Sequence, residues 1–371
     1  MSTLIAYNRR IDGLRAAAVV LVILHHWLPG TSWINWTPNG QLGVDLFFVL
    51  SGYLITGILL RFRTVVESGR KSVGRALGDF YARRALRLFP LYYAVLALAA
   101  LWPSQVTHVS IRSSWPWYVA FLQNSLLFTA RRWDGFLSHF WSLAVEEQYY
   151  LVWGLAVLTL SRRTLLWLIG SGVAAAIALR TLGVLTSAGD VDSMSFWNIL
   201  TPACFDGLGL GSLAAVAVHG DASPLLGKLK RWSWRLGVPC ALFIATFRIA
   251  PPVWFAFGRT ASSILALSVL FWALGDRPAS WIGRFWEWKP VTELGRRSYG
   301  LYVFHNLVPF IWGTIGSIGS ARLPGWPTWA DIAFSGPRSR LLWPLVLVLL
   351  AFGSWRFFEG PINRLKDRFA P

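Results

Sequence analysis

An all-α fold, a polytopic bundle of transmembrane helices, is what this sequence predicts, and three observations carry that prediction. The chain of 371 residues is 55% hydrophobic and only 14% charged, against about 25% charged in a soluble domain. Its mean hydropathy is +0.48. Its apolar residues gather in runs that approach the roughly 20 residues a helix needs to cross a hydrocarbon core. So few charges cannot wet the surface of a soluble globule this large. The same numbers exclude disorder, collagen and coiled coil.

Taken in order, about ten spans are expected, at 12–29, 42–60, 88–103, 140–160, 164–185, 196–218, 236–251, 259–275, 298–316 and 340–358. The segment 116–130 is apolar but short, bounded by Pro116 and by Arg131 and Arg132. It reads as a re-entrant or interfacial piece. Charge supports this choice. With the N- and C-termini cytoplasmic, the inner segments hold Arg9 and Arg10, the run from Arg61 to Arg87, Arg162 and Arg163, Lys228 to Arg235, Arg277 to Arg297, and Arg356 to Arg368. Together these are 25 of the 35 basic residues, as the positive-inside rule asks. Promoting 116–130 to a full span would invert everything after it and put most of those charges outside.

The net charge of +18 is thus a matter of placement, and no nucleic-acid partner is expected. The 23 Trp and 24 Phe suit interfacial belts and lipid contact, so membrane lipids are the expected surroundings. A single domain over 1–371 is expected, without soluble appendage or cleavable signal peptide; the first apolar run ends in His25, His26 and Trp27 rather than a small-residue exit. Cys204 and Cys240 offer neither a disulfide framework nor metal-ligand spacing, so no metal is expected. No internal repeat or paired broken helices are visible, which weakens an inverted-repeat transporter.

Ionisable groups inside a bilayer are costly and mark functional sites. The first span holds Asp12, Arg15, His25 and His26. Arg15 and His26 are eleven residues apart, so they share a helix face and stand roughly 16 Å apart along the axis. His25 points about 100° away. Snorkelling to the two headgroup layers is the plainer account of both. The second span, GVDLFFVLSGYLIT, places Asp45 at the depth of His26, where a carboxylate can orient an imidazole; a helix-start cap is the plainer account. Ser51 and Gly52 suit close helix packing better than nucleophilic attack.

In FYARRALRLFPLYY, Arg84 and Arg87 lie at i, i+3 and Arg83 and Arg87 at i, i+4. Guanidinium forks so spaced suit phosphate oxygens, although a positive-inside stop needs no spacing at all. HFWSLAVEEQYY puts Glu146 and Glu147 near the outer level, about 100° apart, so one of them faces the interior. Asp206, in a Gly-rich helix, reads as a packing or hydrogen-bonding acid. His305 reads as structural, and His108 and His219 as loop residues.

These stretches, with LGRRSYGLYVFHN and the closing WRFFEGPINR, resemble the acyltransferase-3 integral-membrane family, without its fused extracytoplasmic esterase-like (SGNH) domain. The motifs run in family order over nearly the whole chain. The resemblance implies an acyl-CoA-dependent O-acyltransferase in the inner (plasma) membrane. It would move an acyl group, most often acetyl, to a hydroxyl of a glycan, a lipid-linked sugar or a secreted small molecule such as a macrolide. Acyl-CoA would be co-substrate, with no bound cofactor. It also implies the roles: His26, Asp45 and Glu146 catalytic, and Arg15, Arg83, Arg84 and Arg87 acyl-CoA-binding. The expected mechanism has inner arginines holding the donor's phosphates, its arm threading outward, and His26 acting as base with Asp45 or Glu146 orienting it, by direct attack on the thioester with a His-acyl intermediate as the alternative. The tail departs from the family's Glu-Arg-Pro, having Glu359-Gly360-Pro361, so Glu359 receives no role. A transporter or flippase of a glycan or lipid-linked sugar is the alternative that buried Asp, Arg and His also fit.

Overall fold

Helix follows helix through every segment that the computed structural model describes, residues 8–101, 111–219, 223–275, 281–322 and 340–371. Among those residues there is no strand. The chain enters helix α1 (Arg9–Trp27) through Asn8, whose side chain accepts the Arg10 backbone N–H, a standard N-cap. Helices α2 (Asn39–Glu67) and α3 (Val73–Leu101) follow. Next come two short helices, α4 (Ile111–Val119) and α5 (Gln123–Ala130). They are separated at Phe121, whose φ is +53°. Neither can cross a bilayer at 1.5 Å per residue, which agrees with reading 116–130 as something other than a span.

Beyond them lie α6 (Trp141–Thr159), α7 (Arg162–Thr186), α8 (Val191–Trp197), α9 (Phe205–His219), α10 (Ser223–Ala245) and α11 (Pro251–Ala273). The chain then forms α12 (Trp281–Glu287), α13 (Lys289–Arg296), α14 (Ser298–Phe304), α15 (Leu307–Arg322) and α16 (Trp343–Ser354). A π-helical turn, Trp355–Glu359, leads into α17 (Gly360–Arg364) and a last 3-10 turn, Leu365–Phe369.

Among the described residues, six helical stretches are long and apolar enough to cross a membrane: Asn39–Glu67, Val73–Leu101, Arg162–Thr186, Thr201–His219, Pro251–Ala273 and Trp343–Phe369. Each overlaps an expected span, although Val73–Leu101 begins well before 88 and Trp343–Phe369 runs well past 358. The other four expected spans are helical but differ in detail. Helix α1 carries Arg9, Arg10, Asp12 and Arg15 in its first two turns, and α6 carries Glu146 and Glu147. Helix α10 starts and ends earlier than the span at 236–251. The span at 298–316 is two helices, broken at His305 and Asn306. His219 ends α9 instead of lying in a loop, its ring 5.9 Å from that of Tyr53. His108 lies outside the described residues.

Helix α2 sits at the centre, its residues buried along nearly the whole length. Its closest neighbour is α9. A Cβ added at Gly52 would lie 2.0 Å from the Leu208 carbonyl oxygen, and one at Gly211 would lie 2.1 Å from that of Val49. Backbone touches backbone here, the use of small residues that membrane helix pairs favour. Deeper in the same seam, Trp153 Nε1 donates to Thr56 Oγ1 (2.8 Å), which donates to Ser212 Oγ (2.7 Å). Tyr149 and Ser212 share a further bond of 2.6 Å. Hydroxyls buried in an apolar bundle are satisfied in this way. Leu151, Val152 and Leu155 on α6 and Trp167, Leu182 and Leu185 on α7 remain exposed, as side chains that meet lipid do.

Candidate active site

A cavity of about 530 Å³ opens between α1, α2, α3, α6 and α14. Helix α6 runs its length. At one end Tyr150 lies beside Arg84, whose guanidinium stands 5.2 Å over its ring. At the other end Ser142 Oγ meets the Tyr302 hydroxyl at 2.5 Å. Arg15, Arg84, Arg87 and Lys366 line the cavity, and its acids are Asp12 and Glu146. Asp12 is 3.4 Å from Arg296. Glu146 accepts from Ser51 Oγ (2.7 Å) and the Tyr150 hydroxyl (3.1 Å). Among the described residues none of the four cations is in an ion pair. Toward Tyr302 the wall becomes apolar, with Val44, Phe47, Phe48 and Leu143.

The structure therefore brings Arg15, Arg84 and Arg87 together and separates Arg83 from them. Arg83 Nη1 donates to the Lys366 carbonyl at 2.9 Å, outside the cavity wall. Ser51, expected to serve helix packing, instead faces the cavity and binds Glu146; of the Ser-Gly pair, Gly52 does the packing.

Tyr302 closes the cavity's far end. Its hydroxyl donates to the His139 carbonyl at 2.8 Å. Its ring centroid lies 5.2 Å from that of His139 and 5.5 Å from that of His305. His139 and His305 are 4.5 Å apart, and His305 and His26 are 4.9 Å apart. His26 is thus one imidazole beyond Tyr302, and it is exposed. Its Nδ1 lies 2.8 Å from the Val22 carbonyl oxygen. A carbonyl only accepts, so Nδ1 carries the proton and Nε2 presents its lone pair. His25 turns the other way, packing on the start of α2, where a Cβ at Gly40 would meet its ring at 2.5 Å.

The expected support for His26 from Asp45 or Glu146 is not made. Asp45 is fully buried and pairs with Arg259 of α11. The second buried pair, Arg180 of α7 with Asp206 of α9 (2.9 Å), shares Thr260. A carboxylate in a low-dielectric interior takes the available guanidinium over a neutral imidazole. Glu146 turns into the cavity instead. Equal depth in the membrane fixes height along the bundle and says nothing of azimuth. Asp206 is the hydrogen-bonding acid expected of it.

Several residues of this region carried no sequence-based assignment: Tyr302, Ser142, Tyr150, Lys366, Arg180 and Arg259. For the two arginines a signal was present. Arg180 falls inside the span at 164–185 and Arg259 opens the one at 259–275, and a charge at such a place calls for a partner.

The profile of a family described as "Acyltransferase domain" matches residues 8–358. The chain belongs to the acyltransferase-3 family. This acyltransferase-family chain is 28% identical to the peptidoglycan O-acetyltransferase OatA of Listeria monocytogenes, over 96% of its own length and 56% of that protein. It is likewise 28% identical to the O-acetyltransferase OatA of Staphylococcus aureus, over 96% of its length and 57% of that protein. The chain therefore spans just over half the length of these curated relatives. No solved structure matches it. Apolar helices and family together make the acyltransferase-family chain a membrane protein.

Proposed function

We propose that this chain is an O-acyltransferase of the inner (plasma) membrane, one domain of ten spans with both termini cytoplasmic. It would carry an acyl group, acetyl by analogy with its relatives' names, from cytoplasmic acyl-CoA to a hydroxyl at the outer face. One observation carries the reading. The cavity gathers four cations that have no ion pair among the described residues, against two engaged acids, at one end, and is apolar toward the histidines at the other. That division suits a donor with phosphates at its head and a long thin arm ending in a thioester. Uncompensated guanidinium groups out of water are expensive unless an anion joins them. Arg15, Arg84 and Arg87 would hold those phosphates, Arg84 and Arg87 as forks.

His26 is the base. With Nδ1–H committed to Val22, Nε2 takes the acceptor hydroxyl's proton as that oxygen attacks the thioester carbonyl. The C–S bond breaks and the CoA thiolate leaves through the cavity. Tyr302 stands between the cavity and the imidazoles and would turn aside for the thioester to pass. The acceptor belongs to the hydroxyl-bearing glycans, in keeping with the peptidoglycan named for the Listeria relative. Lipid-linked sugars and secreted small molecules share that chemistry.

Transfer of label from acetyl-CoA to a glycan by the purified protein tests the activity. His26→Ala should lower it by about 10²–10⁴ while the protein keeps its melting temperature. Wild-type activity in that variant would end the assignment. Arg84→Ala should weaken acyl-CoA binding more than acceptor binding, and the reverse order would remove the phosphate clamp.

A further inference from the structure

The tail of the described chain folds back beneath the cavity. Two contacts fix it there. Arg83 donates to the Lys366 carbonyl, and Lys71 Nζ donates to the Ala370 carbonyl at 2.6 Å while holding Asp79 at 2.8 Å. Arg364 at the end of α17 and Asp367 and Arg368 in the last turn are exposed, whereas Lys366 is half-buried and lines the cavity. Its ammonium has no partner among the described residues. A lysine free to point into water, as its neighbours do, gains nothing by facing three guanidinium groups. Arg83 holds its backbone carbonyl at the turn that brings it to the cavity wall.

We infer that Lys366 is a fourth cation gripping the phosphates of the acyl donor, and that Arg83 is a positioning residue which places it there through the backbone. This rests on the acyl-CoA reading above. It assigns Arg83 an indirect part in donor binding. A lysine supplies a mobile point charge with three donors, suited to a phosphate that the flat arginine forks leave uncovered.

The experiment titrates CoA into the full chain in lipid nanodiscs at several salt concentrations. Lys366→Met should weaken CoA binding about tenfold and flatten its salt dependence, since one fewer charge is screened. Lys366→Arg should restore most of both. Arg83→Ala should give a similar loss, and the double variant Arg83→Ala/Lys366→Met should be no worse than Lys366→Met alone, the mark of two residues acting as one unit. Lys366→Gln replaces the methionine variant if that one does not purify folded. Wild-type affinity and salt slope in Lys366→Met, with Arg84→Ala still weakened, overturns the inference and leaves the donor reading standing. Additive losses in the double variant overturn the positioning role of Arg83. No CoA binding by the wild-type chain overturns the donor reading and Lys366 with it.

Discussion

Asp45 and Arg259 show how far one residue's role depends on its partner. Both are buried in the bundle, so removing either leaves a bare charge away from water. Asp45→Leu or Arg259→Met alone should each cost about 3–5 kcal/mol of stability, and the double variant should cost clearly less. Thermal unfolding of the three variants in one detergent measures this. Equal losses in all three would mean that packing, and not charge, is at stake. The sequence marked Asp45 as unusual but not its partner, because a guanidinium 214 positions away is found by tertiary packing. It did single out Arg15, Arg84, Arg87 and His26. A helix repeat relates Arg15 to His26, and another relates Arg84 to Arg87, so local periodicity suffices. Lys366 and Tyr302 belong to this site through chain reversals that no local pattern records.

At the scale of elements, the apolar runs located the helices well, because a span is defined by composition over a length. They did not locate the break at His305 and Asn306, where composition stays apolar through Leu307 and Val308. The α2–α9 seam gives a direct test of packing. Gly52→Ala should destabilise by about 1–3 kcal/mol through overpacking against the Leu208 carbonyl, read as a lowered melting temperature; an unchanged value would mean that the helices separate freely. At the α13–α14 junction, Glu293 binds Arg297 and Arg296. Burial pushes its carboxyl up, but these arginines outweigh it and hold it below the ordinary value of 4.5. Its contribution to stability is therefore present above pH 4.5 and lost as pH falls through the lower folded value. Glu293→Gln should flatten the acid limb of a pH–melting curve, and an identical limb would discount the pair.

For the whole molecule, the testable statement is its threading. With ten spans and inner termini, a reporter inserted after Arg163 should be cytoplasmic and one after Gly189 translocated. Both on one side would overturn the topology. The hydropathy of the chain sufficed to read a membrane bundle, and loop charge proposes the orientation that these reporters test. The convergence of α1, α3, α6 and α14 on one cavity was out of reach, since amphipathic faces say which side of a helix is polar and not which helix it meets.

The glycine contact between α2 and α9 bears finally on how an acceptor arrives. Two backbones in touch leave no crevice between them, so nothing as thick as a sugar ring passes between α2 and α9 at the depth of Gly52 and Gly211. His26 lies on α1, exposed at its last turn. On the proposed reading, a bulky acceptor would therefore reach His26 around α1 and not between α2 and α9.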